Sequence, residues 1–163
     1  LYLDAQPNAA HKKLAELEAA GRLRAVITQN IDGLHQKAGS RNVLELHGSV
    51  LRNHCVQCGA FYGVEAVRDS AGVPRCTCGG TIKPDVVLYE EGLEQDVIAR
   101  AVAAIRRADV LIIGGTSLTV YPAAGLVQYY RGNKLAVVNK TALAGAGEAL
   151  TICEPIGEVM DRL

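Results

Sequence analysis

Four cysteines, paired as Cys55-Val-Gln-Cys58 and Cys76-Thr-Cys78, limit what this 163-residue chain can fold into more than any other feature. The pairs lie 17 residues apart, an interval at which two short ligand-bearing turns can close on one tetrahedral zinc. Glycine follows both Cys58 and Cys78, which lets the backbone bend tightly and aim amide N–H groups at sulfur. The second pair has one intervening residue where two are usual. Four thiolates leave no open position for water, so such a zinc is structural. Two disulfides, or cysteines buried as small hydrophobes, are the alternatives; a reducing compartment disfavours the first and the glycine-rich surroundings the second. His54, next to Cys55, is a substitute ligand or a solvated neighbour.

Around this insert, assigned to residues 52–80, the chain alternates helix-like and strand-like patterns. Leu14 and Leu17 recur at helical spacing after Pro7 and before Gly21, which predicts a helix over 7–20. Short apolar runs at Arg24–Thr28 and Asn42–Leu46 read as strands. Val97, Ile98, Ala101, Val102 and Ile105 mark one helical face, followed by the wholly apolar run Val110–Ile113, expected as a buried strand. A helix at Pro122–Tyr130, a strand at Leu135–Val138 and a helix near Ile156–Leu163 complete the series. The fold class is therefore α/β: a parallel sheet covered by helices, formed by residues 1–51 and 81–163, with a small cysteine-bearing module inserted.

Composition narrows the functions. Lys+Arg and Asp+Glu both number 17, so the formal charge is zero, and no long-range field draws in nucleic acid or an anionic membrane. With no Trp and one Phe, aromatic platforms for single strands are scarce. No apolar run reaches the roughly 18–20 residues of a spanning helix. The expectation is a soluble, cytoplasmic protein that binds neither nucleic acid nor membrane, with its oligomeric state open.

In parallel sheets ligands bind beyond the carboxyl ends of the strands. The loops leaving Thr28, Ile113 and Val138 are therefore expected to share a crevice. Asn30 and Asp32 flank Ile31, a spacing suited to gripping an amide edge while an aliphatic side chain packs on a flat ring such as nicotinamide; an Asp in this setting also simply caps turns. Gly115-Thr116-Ser117 offers N–H groups and hydroxyls to phosphate, or makes an ordinary turn. His47 ends a strand and is either a general base or a structurally hydrogen-bonded ring. Cys153 reads as a buried small side chain rather than a reactive thiol.

Thr28-Gln-Asn-Ile-Asp-Gly-Leu-His35, Ala38-Gly-Ser40, Glu45-Leu-His-Gly48, the cysteine pairs, Lys83-Pro-Asp-Val-Val-Leu-Tyr-Glu-Glu91, Gly115-Thr-Ser-Leu118 and Val137-Val-Asn139 together resemble the sirtuin family in order and spacing. The resemblance implies a Rossmann-like domain with a zinc module, and an NAD-dependent protein-lysine deacylase acting on acylated-lysine proteins. By that resemblance Gln29, Asn30, Ile31 and Asp32 contact nicotinamide and ribose, and His47 is the catalytic base. Gly115, Thr116, Ser117 and Asn139 meet the phosphate and adenosine end, with Cys153 and Glu154 beside the adenine. Val86, Val87, Tyr89 and Val120 resemble walls of the acyl-lysine tunnel, and Glu90-Glu91 stands where the family usually has Gly-Glu.

The implied mechanism transfers the acyl group to ADP-ribose. The acyl oxygen attacks the ribose as nicotinamide leaves, and the base then deprotonates a ribose hydroxyl. Sirtuins begin with a strand and a Gly-Ala-Gly loop that are not among these residues. The expectation is thus an incomplete Rossmann-like sheet, part of a longer enzyme, that binds NAD weakly by itself. From other classes, the competing readings are an inactive zinc-bearing module that docks acylated peptides, and a zinc ribbon that touches nucleic acid, which the zero net charge opposes.

Overall fold

The computed structural model describes residues 3–116, 123–141 and 149–163. Helix α1 (Ala9–Ala19) starts later than its periodicity predicts. The Asn8 side chain accepts the His11 N–H at 3.2 Å, while the His11 ring accepts the Asn8 N–H at 3.3 Å. This reciprocal cap leaves Pro7 outside the helix. Strand β1 (Val26–Thr28), the one-turn helix α2 (Leu34–Lys37) and strand β2 (Val43–Glu45) follow. Val26 N–H donates to Asn42 O and Leu46 N–H to Thr28 O, the slanted pattern of a parallel pair. Glu18 helps fix where β2 begins: its two carboxylate oxygens accept the N–H groups of Arg41 and Asn42, each at 2.7 Å.

Next come strands β3 (Gly48–Cys55) and β4 (Phe61–Tyr62), helix α3 (Glu65–Arg68) and strand β5 (Ile82–Val86). These strands form an antiparallel sheet in the order β4-β3-β5, which the expected helix-and-strand alternation does not contain. The register jumps from Ser49↔Asp85 to Asn53↔Pro84. Pro84 has no N–H to offer the ladder, and β3 bulges opposite it. Inside the bulge Ser49 Oγ accepts the Leu51 N–H at 3.2 Å, and Asn53 donates to Val50 O at 3.3 Å. Both polar side chains are buried because the irregular backbone requires them.

The remaining elements are helix α4 (Gln95–Arg106), strand β6 (Leu111–Gly114), strand β7 (Leu135–Val138), strand β8 (Leu150–Ile152) and helix α5 (Ile156–Asp161). Strands β6, β7 and β8 make a parallel sheet in that order. The segment expected as a helix before β7 is instead a 3-10 helix, Ala123–Tyr129. Its sequence explains this, since Gly125, Val127 and Tyr129 all lower α-helical propensity. Strand β6 is also less buried than its apolar sequence implies. Ile113 faces the core, but Ile112 is 43% and Val110 51% exposed, because β6 is an edge strand with one face open among the described residues.

The chain separates into two compact units, one comprising Leu1–Ile27, Leu34–Leu44 and Glu94–Leu163, the other Thr28–Gly33 and Glu45–Leu93. In the first, α1 packs on α5 around Ala10, Val159 and Met160, while Ala101, Ile105, Leu126, Val137 and Val138 are buried. The second contains the whole 52–80 stretch together with β5 and the segments bearing His47 and Gln29–Asp32. No described helix is long and apolar enough to cross a membrane.

Gly48, at the start of β3, has φ +76°, and an added Cβ would overlap the Asp85 carbonyl oxygen. Both the left-handed backbone and the close approach exclude a side chain. Gly48→Ala should destabilise the protein by about 3 kcal/mol and lower the thermal midpoint by roughly 6–12 °C. Thermal unfolding followed by circular dichroism checks this; an unchanged midpoint would contradict the assigned geometry.

Candidate functional site

His47 occupies the two-residue turn between β2 and β3 and is half-buried. Its position is set by a segment that runs alongside it. Leu46 N–H donates to Thr28 O at 2.9 Å, and Val50 N–H to Ile31 O at 3.0 Å. Between these rungs, His47 Nδ1 lies 3.0 Å from Gln29 O. A carbonyl oxygen can only accept, so the proton sits on Nδ1. Nε2 is then the bare nitrogen of the neutral ring and can take up a proton.

Four of the residues expected to meet nicotinamide and ribose therefore share one unit with the expected base. Gln29 and Ile31 are half-buried, whereas Asn30 and Asp32 are exposed. The Asn30 N–H is held by Thr28 Oγ1 at 3.0 Å, which fixes the turn as the chain leaves β1. On the other side of His47, its own carbonyl accepts the Val87 N–H at 3.1 Å, and Gly48 pairs with Val86. Val86 and Val87 thus lie next to the His47 backbone. Tyr89 is fully exposed at the tip of a turn closed by Glu91 N–H donating to Leu88 O at 3.1 Å. Glu91 also accepts the Leu88 N–H at 2.9 Å and pairs with Lys83 at 3.1 Å. This locks Glu90 into φ +69°, a conformation that suits glycine better.

The residues expected at the phosphate and adenosine end lie in the other unit. Gly114, Val138 and Ile152 are in register across β6, β7 and β8, so Gly115, Asn139 and Cys153 emerge side by side at the carboxyl rim of a parallel sheet. Two details differ from the sequence reading. The Gly115 N–H donates to Val138 O at 3.0 Å, which takes it out of any phosphate cradle. Cys153 is exposed, not buried, because it has already left the sheet. The Asn139 amide donates to Thr141 O at 3.1 Å, leaving its oxygen as the acceptor. Thr116 and Glu154 are half-buried at the same rim. Ser117 and Val120 lie outside the described residues.

The cysteines meet as their spacing requires. The four sulfurs lie within 4.8 Å of one another, with Cys55–Cys78 at 3.5 Å and Cys58–Cys76 at 3.6 Å. Tetrahedral zinc with Zn–S bonds of 2.3 Å places sulfurs about 3.8 Å apart. All five cysteines are free, so the two-disulfide alternative does not apply. The turns are built alike: Gly59 N–H bonds to Cys55 O and Gly79 N–H to Cys76 O, with both glycines at left-handed φ. His54 is no ligand. Its Nδ1 lies 2.7 Å from Asp85, whose carboxylate also pairs with Arg52, which in turn pairs with Glu45.

The metal-free cluster is electrostatically uneven. The Cys78 N–H, and after it the Tyr62 hydroxyl, hold the Cys76 thiol down at about 6. The N–H of Cys58 likewise lowers Cys55 against the effect of burial. For Cys78, the favourable Gly80 N–H is outweighed by hydrogen bonds to the other three sulfurs, which push it up to about 12.

A family profile described as the Sir2 family matches residues 1–122. The chain belongs to the Sir2 family. It is 55% identical over 166 residues to an NAD-dependent protein deacetylase of Clostridium acetobutylicum, covering all of this chain and 68% of that protein. It is 57% identical to the protein of the same name from Clostridium perfringens, with the same coverage. Among solved structures, a Sir2 complex with p53 peptide and NAD+ superposes with a TM-score of 0.90 at 42% identity, covering 98% of this chain and 70% of that one. Sir2 bound to an acetylated peptide gives 0.90 at 41%. About a third of each relative's length has no counterpart here. The Rossmann-like reading of the β6-β7-β8 sheet, and of the zinc module beside it in sequence, thus holds for this Sir2 chain.

Zinc binding to ordinary thiols near pH 7.5 releases about one proton per ligand. Because the Cys76 thiol is already largely ionised there, zinc uptake by the metal-free protein should release fewer than four protons. A pH-indicator titration measures this, and release of a full four would contradict the uneven cluster.

Proposed function

We propose that this chain carries the catalytic base and the zinc module of an NAD-dependent protein-lysine deacetylase. The observation that carries the reading is the His47 ring, held by the Gln29 carbonyl with Nε2 left bare. A base at this point must be neutral, fixed in orientation and able to accept one proton, and a ring anchored through Nδ1 meets all three requirements. The relatives' names supply the reaction class, and solved Sir2 complexes with NAD+ and with acetylated peptide supply its two substrates.

NAD contributes a ribose that becomes electrophilic as nicotinamide departs; the remaining tasks fall to the protein. Gln29, Asn30, Ile31 and Asp32 are assigned to the nicotinamide riboside, His47 to removing a proton from a ribose hydroxyl, and Gly115, Thr116, Ser117 and Asn139 to the phosphate and adenosine end, with Cys153 alongside. Gly115 serves by shaping the turn, since its N–H is already bonded. Val86, Val87, Tyr89 and Val120 are assigned to the acylated lysine. An apolar lining favours the acylated side chain because a charged ammonium would lose its hydration there. The acylated peptide fits as an added strand near Val87. Domain limits of 1–51 with 81–163, and of 52–80 for the zinc module, belong to this reading. So does a cytoplasmic location, which a reduced four-cysteine zinc site favours.

The test uses the protein expressed from the gene's complete reading frame, with an acetyl-lysine peptide and NAD. Nicotinamide and acetylated ADP-ribose should appear in step with the deacetylated peptide. His47→Ala should cut turnover by roughly 100-fold or more while zinc content and peptide binding stay unchanged. Peptide binding by the unaltered protein without nicotinamide release would make it a peptide-docking module instead.

A further inference from the structure

The four zinc ligands are not equally placed. Cys58 and Cys78 are exposed, so water can solvate their sulfurs, whereas Cys55 and Cys76 are buried. Zinc with four thiolates carries a net charge of −2, and buried charge is unfavourable unless hydrogen bonds compensate it. Fixed donors reach both buried sulfurs. The Gln57 N–H lies 3.4 Å from Cys55 Sγ, a bond that any residue at 57 except proline can supply. Cys76 takes a backbone donor too, the Cys78 N–H, and in addition a side chain: the Tyr62 hydroxyl stands 3.0 Å from its Sγ.

The fold fixes this hydroxyl closely. Tyr62 lies on β4, whose register opposite β3 pairs it with Asn53, two residues before Cys55. Its ring packs against the cluster formed by Cys55, Cys76 and Ile82. The tyrosine therefore reaches Cys76 from a strand outside both ligand-bearing turns. We propose that Tyr62 is a positioning residue of the metal centre, its O–H holding the Cys76 thiolate in place on the zinc and withdrawing part of its charge.

A donor to a metal-bound thiolate lowers sulfur basicity, which slows the protonation and dissociation that begin metal loss. Tyr62→Phe removes this bond and keeps the ring in the packed cluster. Partners of this kind typically change metal affinity by about 10–100-fold. The zinc-loaded Tyr62→Phe protein should accordingly pass zinc to a colorimetric chelator roughly 10-fold faster than the unaltered protein. After cobalt(II) substitution, its sulfur-to-metal charge-transfer bands should move to lower energy, because the sulfur lone pair is no longer stabilised. Phe61→Leu, an exposed neighbour on the same strand, is the control and should leave both readings unchanged. Failure of Tyr62→Phe to load metal while Phe61→Leu loads normally is the extreme form of the expected result. Equal release rates, or faster release with unmoved bands, would overturn the proposal. Neither reading requires turnover, so the result is independent of the deacetylase assignment.

Discussion

One hydrogen bond gives the unit bearing His47 its chemical meaning. A histidine at a strand end can take either tautomer and several ring orientations. Here the backbone chooses: the carbonyl of Gln29 fixes the proton on Nδ1 and frees Nε2. That carbonyl is held in turn, because Thr28 and Ile31 on either side are tied to Leu46 and Val50. The segment expected to grip nicotinamide is thus the same segment that orients the His47 ring. The Thr28–Ile31 segment and the His47 turn are one hydrogen-bonded assembly, and a shift in either would disturb both.

Strand β3 extends this assembly to the metal centre. It begins one residue after His47 and ends on the zinc ligand Cys55, a run of about 23 Å at the usual strand rise. Its partner β5 starts four residues after Cys78 and ends at Val86, next to the Val87 N–H that bonds the His47 carbonyl. Both strands of the ladder are therefore pinned near the cysteines at one end and contact His47 at the other. A zinc with no open coordination position contributes no chemistry itself. Held by the four cysteines, it would act mechanically, tying together the ends of a bulged ladder in which Pro84 donates no hydrogen bond.

Much of this could be read from the residues. The cysteine spacing identified the metal site, since thiolates that must share one ion constrain the chain wherever they occur. Periodicity located α1 and α4, where a single face decides burial, and short apolar runs located β1, β2, β6 and β7, but not β8. The antiparallel ladder was not legible. Lys83-Pro84-Asp85 has no strand-like alternation, and its pairing with β3 depends on contacts about 30 residues apart that local propensity does not encode. The His47 tautomer was equally hidden, because its partner is a backbone carbonyl 18 residues away and every residue has one. Tyr62 lacked any signal beyond lying between the cysteine pairs. For Ile112 and Cys153, apolar character predicted burial, but exposure was decided by which strand lies at a sheet edge and where the chain leaves it.

The most direct test of the account is the protonation of the His47 ring, read by long-range proton–nitrogen correlation NMR of the neutral, zinc-loaded protein. A protonated Nδ1 with an unprotonated, pyridine-like Nε2 is the predicted pattern. A proton resident on Nε2 would mean that the Gln29 carbonyl does not orient the ring, and the base assigned here would have no lone pair to use.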